Sequence, residues 1–136
     1  MRQESAALKI RTKDFALRVL RLYRSLPRTE EARILGKQLL RSSTSIGVNY
    51  RAACRGRSRA EFVAKLGIVL EEADETVFWL ELLQEGNIFP TEKLSELVLE
   101  ANELVSIFVS SVRTAKANAE DKSDCRGQIA EVKDSK

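Results

Sequence analysis

Apolar side chains recur along this chain at steps of three and four, the spacing of helices that each bury one stripe. Phe15, Val19, Leu22 and Leu26 mark a first helix beginning near Asp14. It ends before Pro27, because the residue ahead of a proline is pushed out of helical backbone. Thr29 is placed to cap a second helix whose first turn carries Glu30 and Glu31, where carboxylates suit the helix dipole. Its stripe is Leu35, Leu39, Ser42, Ile46, Tyr50 and Ala53, running out near Gly56. Ser58 and Glu61 have the spacing of a capping box and open a third helix. Phe62, Leu66, Val69, Ala73, Thr76, Leu80 and Leu83 form its stripe, closed by Gly86. The segment EGNIFPT reads as a loop with Thr91 as the cap of a fourth helix, striped by Leu94, Leu97, Ala101, Leu104, Phe108 and Val112. After Asn118 the pattern dissolves into a polar stretch with too little apolar surface to fold alone. The expected fold is all-α: an antiparallel up-and-down four-helix bundle over residues 1–118 and a disordered C-terminal tail over 119–136.

The second helix shows more than one face. At about 100° per residue its apolar stripe leaves Lys37, Arg41, Thr44, Val48, Arg51 and Arg55 on the opposite side. Between the two lie Gly36, Ser43, Gly47 and Cys54, small residues that let a neighbouring backbone come close. The segment RSSTSIGVNYRAACRGRSRAEF, Arg41 to Phe62, is therefore the end of one helix, a tight turn and the start of the next. It is not a disordered linker. It carries Arg51, Arg55, Arg57 and Arg59 with no acid before Glu61. Folding the hairpin near Arg57 sets Arg41 level with Glu72 and Asp74, so Arg41 is expected to pair with one of them. The other four arginines crowd one end of the bundle, where like charges repel and call for an anionic partner.

Charge partition sharpens that expectation. Net charge over the chain is only +3, yet residues 1–66 carry +11 and residues 67–136 carry −8. The first half suits an anionic partner, and the second suits association with the first. Nothing near the start resembles a signal peptide and no apolar run spans a bilayer, so a cytoplasmic protein without membrane partners is expected. Cys54 and Cys125 then read as reduced thiols.

The chain contains no histidine. That removes the usual neutral-pH base and every triad built on imidazole. Glu71, Glu72, Asp74 and Glu75 look superficially like a di-iron carboxylate set, but such sites need a Glu-x-x-His from each of two helices. Neither metal nor other cofactor is expected, and no catalytic residue. RGRS has one glycine and follows no strand, unlike a phosphate-cradling loop. Trp79 beside Phe78 suits bundle packing or a subunit contact better than a platform for stacking bases.

The run from Arg41 to Arg51, the S-R-A-E-F entry of the third helix and the later E-E-A-D-E-T-x-x-W-L-E-L-L resemble the four helix bundle proteins, also called 23S ribosomal RNA intervening-sequence proteins. The likeness covers roughly residues 10–115. It implies a four-helix bundle assembled as a homopentamer with a basic surface. Distantly related proteins serve as accessory factors of diversity-generating retroelements, where they bind nucleic acid and a reverse transcriptase.

Residues and resemblance together point to a non-enzymatic homo-oligomer that binds the RNA or DNA backbone without sequence preference. Arg51, Arg55, Arg57, Arg59, Arg41 and Lys37 are its candidate nucleic-acid-binding residues, with phosphate contacts supplying affinity and no sequence readout. A role beside an RNA- or reverse-transcriptase-linked system is one extension. The rival reading is a protein-interaction scaffold, whose arginines pair with Glu71, Glu72, Asp74 and Glu75 of a neighbour or partner protein.

Overall fold

A computed structural model describes the backbone of residues 2–129 and the side chains of residues 3–118. Four helices follow one another: α1 (Arg2–Ser25), α2 (Glu30–Cys54), α3 (Arg59–Glu85) and α4 (Thr91–Ile129). They form the expected up-and-down bundle, each packing on its neighbours in sequence while α1 and α4 touch least. The stripes converge as their spacing requires. Phe15, Leu39, Ile46, Leu66, Leu80, Leu104 and Phe108 are all fully buried in one core. Tyr50 joins them with its ring 5.5 Å from that of Phe108, and burial pushes its phenol up to about 12.

Local chemistry sets most of the helix ends. Thr29 accepts the Ala32 N–H at 3.2 Å and opens α2. Ser58 accepts the Glu61 N–H at 3.1 Å and opens α3. The reciprocal half of that box is shifted by one residue, since Glu61 Oε1 accepts the Arg57 N–H at 2.7 Å. Gly86 ends α3 as expected, but Asn87 supplies the left-handed turn residue, at φ 58°.

Three boundaries differ from the expectation. The first helix begins at Arg2 instead of near Asp14. Its stripe extends upstream through Leu8 and Thr12, and Thr12 is fully buried because its hydroxyl donates to the Leu8 carbonyl at 2.8 Å. A buried hydroxyl satisfied in this way costs little, so a polar residue can continue an apolar stripe. Thr91 is the first residue of α4 and not its cap; the Pro90 carbonyl accepts the Lys93 N–H at 3.0 Å. Finally, α4 continues to Ile129, past the expected end of the bundle at Asn118. Extending an existing helix avoids the nucleation cost. The rest of the tail expected to be disordered, residues 130–136, lies outside the described residues.

The small-residue flank of α2 is the surface on which α1 lies. A Cβ on Gly47 would stand 3.3 Å from Thr12 Oγ1 and 3.8 Å from the Thr12 carbonyl carbon. A Cβ on Gly36 would come within 2.8 Å of Leu26 Cδ1 and 3.1 Å of the Tyr23 ring. One turn beyond the core, Cys54 Sγ meets Ser5 Oγ at 3.2 Å as a free thiol. The side chain of Cys125 lies outside the described residues. Gly47→Leu should therefore drive α1 off α2 and cost about 1–3 kcal/mol by overpacking. Chemical denaturation monitored by circular dichroism reads the effect; an unchanged midpoint would mean that Gly47 faces open space.

Candidate nucleic-acid interface

The α2–α3 turn is short and its cap is made locally, which projects its long side chains outward. Arg55 and Arg57 are exposed at the turn, and Arg51 is exposed one helical turn below Arg55. Among the described ion pairs none involves these three. Arg59 is half-buried, with its guanidinium carbon 6.0 Å from the centroid of the Phe62 ring. Glu61, the acid nearest in sequence, is committed to the cap of α3 through the Arg57 N–H. Four of the six candidate residues thus gather at one end of the bundle.

The other two stand apart. Lys37 is exposed on the same face of α2, but 18 residues of helix separate it from Arg55, a span of about 27 Å at 1.5 Å per residue. Arg41 is engaged within the chain. Its Nη2 donates to Glu75 Oε1 at 2.9 Å and its Nη1 lies 3.8 Å from Glu72 Oε1. The expected pairing with α3 is present, with Glu75 in place of Asp74. A residue at 74 falls one position off the face that meets α2, whereas 72 and 75 straddle it. Just below, Ser42 and Thr76 share a buried hydrogen bond at 2.8 Å between the same two helices.

Glu72 is the strained member of this group. Its Oε1 is buried and accepts no hydrogen bond among the described residues. Burial lifts its carboxyl above the usual range, with Glu75 and Glu71 adding to the effect and Arg41 opposing it. Glu71, Glu72, Asp74 and Glu75 form no metal-binding group among the described residues.

A second bridge escaped the sequence reading. Arg11 on α1 donates from Nε to Glu100 Oε2 at 2.7 Å and from Nη2 to Glu100 Oε1 at 2.9 Å and Glu103 Oε1 at 2.6 Å, tying α1 to α4. The Glu100 hydrogen bonds hold its guanidinium pKa above the ordinary arginine value, although burial works against them. The signal available was the extended stripe: once Leu8 and Thr12 are aligned with Phe15, Arg11 faces α4. The same alignment brings Lys9 and Lys13 beside Arg51 across the α1–α2 seam, where all three line one groove.

Residues 6–110 match the 23S rRNA-intervening sequence proteins. The chain belongs to that family. A solved structure from Bacteroides thetaiotaomicron VPI-5482, described as a protein with unknown function from the S23 ribosomal protein family, is 36% identical to it with a TM-score of 0.74. The likeness covers 80% of this chain and 97% of that one. No curated protein matches the chain. Among the described residues no helix is long and apolar enough to cross a membrane.

The sign of the Glu72 effect follows from its raised pKa. Above that value the carboxylate is charged in both folded and unfolded chains and its burial opposes folding; protonation on acidification relieves the penalty. Arg41→Gln removes the opposing charge, so it should lower Tm at pH 8 and lose most of that effect near pH 4. Glu72→Gln should match or raise the wild-type Tm at pH 8. Thermal melts from pH 4 to 8 test both, and a Glu72→Gln loss at pH 8 as large as that of Arg41→Gln would contradict the assignment.

Proposed function

We propose that this protein is a non-enzymatic, cytoplasmic homo-oligomer, expected as a pentamer, that binds RNA or DNA through phosphates at the α2–α3 end. The carrying observation is the charge of that end: Arg51, Arg55 and Arg57 are exposed and outside every described ion pair, while Glu72, Glu75, Glu100 and Glu103 serve bridges elsewhere. Repetition of the cluster around an oligomer multiplies its field and its phosphate contacts. Arg41, paired within the chain, is assigned a lesser part. Lys37 would extend the surface along α2. A place beside an RNA- or reverse-transcriptase-linked system rests on family likeness alone.

Self-association has its own support on α3. Ile68 and Phe78 are exposed on one side of the helix, at 37% and 53%. The same side holds two buried polar atoms without partners, Glu72 Oε1 and Trp79 Nε1. Trp79 also meets Phe78 edge-on, with ring centroids 5.1 Å apart. A neighbouring subunit covering this side would bury both exposed apolar groups, Ile68 and Phe78. The scaffold reading draws on this same surface, with the arginines of one copy set against Glu71 and Glu75 of the next.

Replacing Arg51, Arg55, Arg57 and Arg59 by glutamine separates the two readings. Four phosphate contacts per subunit give a log–log salt dependence with a slope of about −3 to −4, according to strandedness. The quadruple variant should flatten that slope while light scattering returns the wild-type oligomer mass. Fluorescence anisotropy with labelled oligonucleotides supplies the slope. An unchanged slope removes the turn from the interface, and collapse to monomers makes the arginines part of the subunit contact.

A further inference from the structure

Of the bundle's four seams, α1–α4 and α2–α3 are bridged by described ion pairs, whereas α1–α2 and α3–α4 are not. Arg11 joins α1 to Glu100 and Glu103 of α4, and Arg41 joins α2 to Glu72 and Glu75 of α3. The α1–α2 seam instead has cations on both walls. At one end a groove of about 220 Å³ is rimmed by Lys9 and Lys13 from α1 and Arg51 from α2. Its floor is Ala16, Gly47 and Val48, and no carboxylate lines it. At the other end Arg24, Arg28 and Arg33 surround a second groove of about 530 Å³ beside Tyr23, again with no carboxylate in its lining. None of these six cations enters a described ion pair. By contrast, the cleft between α1 and α4 sets Glu96 among Arg18, Arg21 and Lys93.

Close approach makes the crowding worse. Gly36 and Gly47 let α1 lie against α2 with almost nothing between, so the two rows of cations face one another across a narrow seam. Acids at either row would relieve the repulsion at little structural cost, and the lining has none. A seam arranged in this way is complementary to a chain of negative charges running along it. From Arg33 to Arg55, α2 spans about 33 Å, with Lys37 and Arg51 between, and Arg51 joins the groove to the arginines of the turn.

We infer that the α1–α2 seam is the track of a single nucleic-acid strand, entering from the α2–α3 turn past Arg51. This rests on the nucleic-acid reading above and names the path and the strandedness that reading leaves open. Phosphates lie on the cationic rims, and a base or sugar lies on the apolar floor between Lys9 and Arg51. The groove is smaller than the roughly 300 Å³ at which drug-sized pockets begin, a size suited to one flat ring. A duplex keeps its bases paired and stacked inside, so it reaches the rims and not the floor.

The test measures binding of a labelled single strand and of the matching duplex across a salt series. Each phosphate neutralised on a single strand adds about 0.7 to the slope, so Lys9→Gln with Lys13→Gln should reduce it by about 1.4. Ala16→Leu fills the floor without altering charge. It should weaken the single strand about fivefold, the low end of what stacking of one base contributes, and leave duplex binding unchanged. Thr44→Leu, at an exposed position on the opposite wall, does the same should Ala16→Leu unfold. Arg55→Gln with Arg57→Gln serves as the control for the turn. If the control flattens the slope while the lysine and floor variants bind as wild type, the strand does not follow the seam although the nucleic-acid reading stands. If wild type binds no oligonucleotide, both fall. Displacement of the strand by polyglutamate, with no effect of either floor variant, would show an acidic protein segment to be the occupant and overturn the inference.

Discussion

Arg11 against Glu100 and Glu103, and Arg41 against Glu72 and Glu75, bind the two halves of this chain across opposite seams of the bundle. In each case a guanidinium from the basic first half reaches carboxylates of the acidic second half. The +11 of residues 1–66 and the −8 of residues 67–136 thus meet inside one subunit. Such partly exposed pairs add little stability one at a time. Their consequence is one of placement. Acids sit where α3 and α4 border the basic helices, while Lys9, Lys13, Arg51, Arg55 and Arg57, further from those borders, enter no described ion pair.

Packing reinforces the arrangement. Small residues on α2 let α1 settle against it, with Thr12 buried over Gly47 and Tyr23 over Gly36. Helices held this near cannot turn their cationic rows apart. The seam is therefore narrow and charged together. The outer side of α3 differs in kind. There, exposed Ile68 and Phe78 lie beside the unpartnered Glu72 and Trp79 atoms. That exposed apolar side lies apart from the cationic α1–α2 groove, as the proposed division between self-association and polyanion binding requires.

Much of the fold was legible because helical stripes are periodic and caps are local. Thr29 and Ser58 carry their own instructions, and the stripes of α2 and α3 even included Ser42 and Thr76, which the structure joins by a buried hydrogen bond. The start of α1 was not legible, since Thr12 breaks the apolar pattern and only its bond to the Leu8 carbonyl explains its burial. For the candidate site, the turn cluster and the pairing of Arg41 with α3 could be read from spacing. Glu75 in place of Asp74 reflects a one-residue rotation that spacing alone does not resolve. The bridge from Arg11, and the meeting of Lys9 and Lys13 with Arg51, required knowing which helices are neighbours. No periodicity within a single helix contains that information.

Acids bridge the α1–α4 and α2–α3 seams, and the proposal assigns the cationic α1–α2 seam to a polyanion. Lysine footprinting tests it most directly: an amine-reactive reagent is applied with and without a short single-stranded oligonucleotide, and modification is quantified by mass spectrometry. Lys9 and Lys13 line the α1–α2 groove and Lys37 is exposed on α2, whereas the exposed Lys93 and Lys116 belong to α4. The account predicts protection of the first three by the oligonucleotide, with Lys93 and Lys116 modified as before. Equal protection of all five, or protection confined to Lys93 and Lys116, would contradict it.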